Sequence, residues 1–165
     1  MILRVTQKLA KKIKVAPAAA LPPHDNPLLD WTANLFMVSR WQCIILTNSA
    51  SLYSVVFPGK SVSNGQALVE QGMKALDDCL TRDGVLGLYD FEIAPSMGSV
   101  DFCKAGDKSV LASMNQLVFD AKWQLLKTGQ PLSLVNQRLN RTPMSKLGWR
   151  YAFDKLLALA DRLRG

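Results

Sequence analysis

The chain holds one histidine, three cysteines and no long apolar run, and each scarcity removes a class of function. The lone imidazole, His24, stands beside Asp25 in a proline-rich stretch, which excludes a catalytic triad and a multi-histidine metal site. Cys43, Cys79 and Cys103 are odd in number and share no paired spacing, so neither a secreted disulfide framework nor a zinc ribbon is expected. Buried thiols in a reducing, cytoplasmic compartment are the expectation. Apolar stretches such as Cys43 to Leu46 fall far short of the roughly 20 residues of a membrane span. The basic start has no apolar core before Pro17, so a secretory leader is not expected either.

What is present suits one ordinary globular domain over residues 1–165: 48% apolar and 20% charged residues, with 20 bases against 13 acids for a net charge of +7. A chain of this length buries roughly 70% of its unfolded surface, enough for a core without disulfides or metal. The charge is segregated. Residues 1–14 carry +5, residues 61–101 carry −5 and residues 102–165 carry +7. Such segregation makes a dipolar surface unless the fold interleaves the segments, and it permits an anionic partner.

The pattern predicts an α+β plan: a small antiparallel meander sheet packed against a long helix and a C-terminal helical pair. Ile2 to Val5 reads as a strand, followed by a helix capped by Thr6 that buries Leu9, Ala10 and Ile13. Residues 16–27 (APAAALPPHDNP) hold four of the eight prolines and form an extended connector. Trp31 to Phe57 reads as three strands in series. Ser63 and Gln66 have the spacing of a capping box for a helix whose stripe is Val69, Met73, Leu76 and Leu80, stopped at Asp83-Gly84. Leu88 to Ala94 and Val100 to Lys104 are candidate strands, and a helix from about Asp107 to Thr128 buries Val110, Met114, Leu117, Val118, Ala121 and Leu125. A short helix carries Leu134, Val135 and Leu139, and a last one runs from about Tyr151 to Leu163.

Gly59-Lys60-Ser61 lies between a strand and a helix, the setting of a phosphate-binding loop. Ser54 stands where that loop needs its first glycine, and Pro58 lacks an N–H, so the cradle is short of donors. Asp77 and Asp78 diverge on a helix surface. Asp90 and Glu92 would share one face of a strand, a weak Mg²⁺ pair without a third ligand. No metal site and no cofactor is therefore implied. A polar set without titration near neutrality is more informative, and from it Asn34, Arg40, Ser113, Asn115 and Arg141 are the candidate ligand-binding residues, as fixed donors around an anionic ligand. Lys122, Lys127, Arg138, Arg141, Lys146 and Arg150, interleaved with Trp123, Trp149 and Tyr151, are the candidate nucleic-acid-binding residues.

Several segments are familiar in type. The opening Met1 to Leu9, Asp30 to Leu35 with Arg40, Asn48 with Leu52-Tyr53-Ser54, Ser109 to Asn115, and Leu139 to Met144 with Leu147-Gly148 together resemble a bacterial family of about this length that is described only as a domain of unknown function. The family has Cys where Val5 stands and Gly where Ala112 stands. Arg138 to Phe153 is also similar to a stretch near the end of some insertion-sequence transposases, whose three separated carboxylates this chain does not match. The resemblance implies a whole-chain unit and no chemistry. The reading that follows is a small binding protein that uses its basic C-terminal helical face toward a protein or nucleic acid and does not contact membrane. The alternative is a small anionic-ligand protein or enzyme with a polar pocket around Asn34, Arg40, Asn115 and Arg141.

Overall fold

Five strands form one mixed sheet in the order β4-β3-β2-β1-β5 in the computed structural model, which describes residues 1–165. β1 (Ile2–Val5) runs parallel to both neighbours, β2 (Asp30–Val38) and β5 (Asp101–Lys104). β2, β3 (Trp41–Asn48) and β4 (Ser54–Pro58) make the predicted antiparallel meander. The α+β expectation is met, with a sheet larger than the meander because β1 and β5 extend it in parallel. The helices are α1 (Gln7–Ile13), α2 (Gly65–Arg82), α3 (Lys108–Lys127), α4 (Leu132–Leu139) and α5 (Ala152–Arg164). Two short strands, β6 (Pro143–Met144) and β7 (Arg150–Tyr151), pair between α4 and α5.

Alternation along the strands sorts the two faces. Leu46 and Phe57 share a face and meet Gly72 of α2, where an added Cβ would lie 3.4 Å from each. α3 packs on the opposite face against β2 and β3, where Phe36, Cys43 and Ile45 are buried. One hydrophobic cluster runs from Met1 to Ala160 and draws on all five helices.

The proline connector wraps the sheet. Ala18 bridges to Cys103 on the outer edge of β5, and the chain then passes over Arg4, whose guanidinium donates to the carbonyls of Leu21 at 2.7 Å and Pro22 at 2.9 Å. A short 3-10 turn at Pro27–Leu29 leads into β2.

Several local expectations are corrected. Asn64, not Ser63, caps α2: its Oδ1 accepts the Ala67 N–H at 2.8 Å, and Gln66 turns instead to Glu70. Thr6 stands at the start of α1 but spends its hydroxyl on Asn34. Leu88 to Ala94 is no strand. Tyr89–Ile93 form a single π-helical turn followed by a 3-10 turn at Ala94–Ser96, so Asp90 and Glu92 do not share a strand face. Glu92 pairs with Arg164 at 3.5 Å instead, and no group of three His, Cys, Asp or Glu side chains is placed to hold a metal. In the Gly59-Lys60-Ser61 loop the Gly59 N–H is spent on Gln42 O at 2.8 Å and the Val62 N–H on Gly59 O at 3.1 Å, and α2 starts only at Gly65. That loop has no phosphate cradle.

Candidate interaction surface

α3 starts firmly because Asp107 caps it, its carboxylate accepting the N–H groups of Ser109 at 2.8 Å and Val110 at 3.0 Å. Val110, Met114, Leu117, Val118 and Ala121 recur on its inner side and are buried. The outer side has its own apolar repeat. Phe119, Trp123 and Leu126 stand at i, i+4 and i+7 and are 69%, 56% and 54% exposed. Ala112 and Gln116 continue the line toward the N-terminus and are also exposed. This is the spacing of a coiled-coil seam facing no helix of its own chain.

Charge borders the seam. Lys122 is half-buried and Lys127 exposed. Arg138 and Thr142, at the end of α4, face Phe119, Asp120, Trp123 and Gln124 across a shallow groove of about 470 Å³. Burial pushes the carboxyl of Asp120, the one acid lining the groove, above its usual range. Gln124 Oε1 lies in the same wall, buried and without a hydrogen-bond partner in the chain, an open acceptor where nearly all buried polar atoms are satisfied.

The six candidate nucleic-acid-binding cations divide. Arg138 faces the seam across the groove, and Lys122 and Lys127 adjoin Trp123 and Leu126 along α3. Arg141 turns to α2, donating from Nη1 to Asp83 Oδ1 at 2.8 Å and lying 4.7 Å over the Phe153 ring. Lys146 donates to Ser109 Oγ at 2.9 Å and sits 4.0 Å from Asp107. Arg150 is exposed on β7. The candidate ligand set divides further. Asn34 Oδ1 accepts the Thr6 hydroxyl at 2.8 Å, Ser113 Oγ donates to Ser109 O at 3.0 Å, and Asn115 points outward on α3. Of the five, Arg40 lines a groove of about 910 Å³ beside the β2–β3 hairpin, and none of the other four lines it.

The buried polar residues form separate structural centres. Arg4 Nε and Nη2 grip Asp30 at 2.8 and 2.7 Å, and Asp30 also accepts the His24 N–H at 3.0 Å and the Ser49 hydroxyl at 2.9 Å. Burial works to raise the Asp30 carboxyl, and these hydrogen bonds outweigh it, holding the group below its ordinary value. With its remaining donors on Leu21, Pro22 and Cys103, Arg4 has nothing left for a ligand. Tyr53 donates to Asp83 Oδ2 at 2.6 Å and its oxygen lies 3.2 Å from Cys79 Sγ, and burial pushes the Cys79 thiol up to about 11, away from reactivity. These centres use every polar atom internally, and isolated sequence positions carry no sign of that.

A family model described as Domain of unknown function (DUF6933) matches residues 2–155. No curated protein and no solved structure matches the chain.

Proposed function

The chain belongs to that family of unknown function, which brings no activity with it, and from its surface we propose a non-enzymatic interaction protein whose outer α3 face receives an amphipathic helix of a protein partner. Acidic side chains flank the apolar edge of that helix. The observation that carries the reading is the exposed Phe119–Trp123–Leu126 line at heptad spacing, with Arg138 across the groove and Lys122 and Lys127 next to Trp123 and Leu126 along α3. Exposed apolar surface of this order marks a contact site when it is contiguous and rimmed by polar groups. The helical repeat fits a second helix laid along it, and the cationic border selects an acidic one.

Two other occupants fit less well. A second copy would bring the same three cations against themselves. A nucleic acid needs many free cations to contact phosphates, and Arg141 and Lys146 are already engaged by Asp83, Ser109 and Asp107. The three cysteines are buried and unpaired, in keeping with a reducing, cytoplasmic setting.

The test uses the full chain and a fluorescent helical peptide with leucines along its seam and glutamates beside them, against the same peptide with lysines. The glutamate peptide binds, and Phe119→Ala with Trp123→Ala weakens it by about tenfold or more, about 1.4 kcal/mol. Lys122→Glu, Lys127→Glu and Arg138→Glu together reverse the preference. Equal binding of both peptides, failure of both, or single-stranded DNA bound through Phe119 in their place overturns the reading.

A further inference from the structure

A second surface, at the far end of the sheet from the β3–β4 turn, collects cations that nothing in the fold requires to be together. The β2–β3 hairpin turns at Ser39 and Arg40, with Ser39 in the left-handed region at φ 54°. Beside the turn lies a groove of about 910 Å³ whose lining includes Lys12 from α1, Arg40 and Trp41 from the hairpin, Lys60 from the loop after β4, and Leu125 and Leu132 from α3 and α4. Lys60 is set there because Gly59 hydrogen-bonds back to Gln42 of the hairpin at 2.8 Å.

No carboxylate lines this groove, and none of its three cations takes part in an ion pair. Three like charges from three segments lose energy by sharing one hollow, and an anion in the hollow reverses the sign of that term. Between the cations the walls carry Met37, Val38 and Pro58 as well as the two leucines, with Gln42 and Gln130 beside them. The Trp41 ring is 76% exposed at the rim, open to stacking. The volume lies within the range of small-molecule sites, roughly 300 to 1,000 Å³.

We infer that this groove binds a small organic anion with a flat apolar body, its carboxylate or phosphate held by Lys12, Arg40 and Lys60 and its ring laid on Trp41. The chemistry requires both halves. A bare anion lacks the stacking and apolar contacts, and a neutral ring leaves the cations uncompensated. The site shares no residue with the α3 seam, so either can fail without the other.

The experiment titrates the full chain with 1-naphthoate, adenosine monophosphate, adenosine and inorganic phosphate, following tryptophan fluorescence and thermal midpoint. At least one of the two aromatic anions raises the midpoint and quenches the fluorescence, and which one does so separates a carboxylate ligand from a nucleotide. Adenosine and phosphate at equal concentration do neither. Arg40→Ala with Lys60→Ala, both at the surface, weakens that binding by about tenfold or more, as does Trp41→Ala. Glu variants at Arg40 and Lys60 abolish it. Inert aromatic anions, or binding that survives Arg40→Glu with Lys60→Glu, overturns the assignment.

Discussion

Asn140 holds Ser54 at both of its backbone polar atoms, accepting its N–H on Oδ1 at 2.7 Å and donating from Nδ2 to its carbonyl at 2.8 Å. One turn earlier in α4, Asn136 does the same to Val56, at 2.7 and 3.0 Å. β4 is an edge strand, and these are its outward-facing groups. The match is geometric: four residues of helix rise about 6 Å, and two residues of strand rise about 6.6 Å. Two carboxamides on one helix thus stand in for a neighbouring strand, closing an edge that would otherwise invite pairing with another chain.

Asn140→Leu should therefore destabilise the protein far more than its shape change suggests. Both Ser54 groups lose their partner while remaining buried, at about 1–3 kcal/mol each, against a total stability of about 5–15 kcal/mol. Urea unfolding should show a loss of about 3 kcal/mol, with light scattering rising as the β4 edge opens. Asn140→Asp keeps the acceptor and sets a carboxylate against the Ser54 carbonyl, so its deficit should shrink as the solution is acidified. A loss under about 0.5 kcal/mol in Asn140→Leu would show that water replaces the amide freely.

The Arg4–Asp30 pair predicts the acid limit of stability. The Asp30 carboxyl is lowered in the folded protein, so the unfolded chain binds its proton first as pH falls. Its contribution is fully present above the unfolded value of about 4 and is lost as pH drops through the folded value. Asp30→Asn removes that dependence and leaves the buried guanidinium uncompensated, costing about 3–5 kcal/mol near neutrality. Urea midpoints at pH 7 and pH 3 check both statements. A parent and an Asp30→Asn variant that lose equal stability on acidification would contradict them.

Periodicity was enough for the meander, for α2, α3 and α4, and for β1, because hydrophobic alternation and helical stripes are local signals. It could not place β1 between β2 and β5, since parallel pairing across the connector depends on Arg4, Asp30 and Ala18, residues with no local pattern. The Tyr89–Ile93 turn misled for the opposite reason: Leu88 to Ala94 alternates like a strand, and Pro95 follows it, yet the backbone closes into helical turns. At the candidate sites, Arg40, Lys122, Lys127 and Arg138 were visible as charge. Lys12 and Lys60 join Arg40 only through the fold, and Phe119 and Leu126 emerge as a seam only once the inner side of α3 is known.

Arg141 should behave as a structural residue in spite of its exposure. Asp83 has a side chain only 1% exposed and depends on Arg141 and Tyr53 for its partners. Arg141→Ala should cost about 1–2 kcal/mol of stability, discounted from a fully buried pair because the guanidinium is 38% exposed. Peptide binding at the α3 seam should be unchanged, measured by anisotropy at a temperature where the variant stays folded. A tenfold loss of binding with no change in the unfolding midpoint would place Arg141 in the contact surface.

Trp149 is the residue whose replacement should stabilise the protein. It follows Gly148 with φ 64°, so two successive residues lie in the left-handed region, and its N–H reaches Met144 O at 3.0 Å. A bulky side chain there costs about 1 kcal/mol or more. Burial returns little of it, because the ring is 73% exposed. Asparagine tolerates this conformation, so Trp149→Asn should raise the unfolding free energy by about 0.5–1 kcal/mol. Trp149→Gly should gain less, since glycine also loosens the unfolded chain. Denaturant midpoints with unchanged slope measure both, and a loss of stability in the asparagine variant would mean that the ring packs in solution more than its exposure indicates.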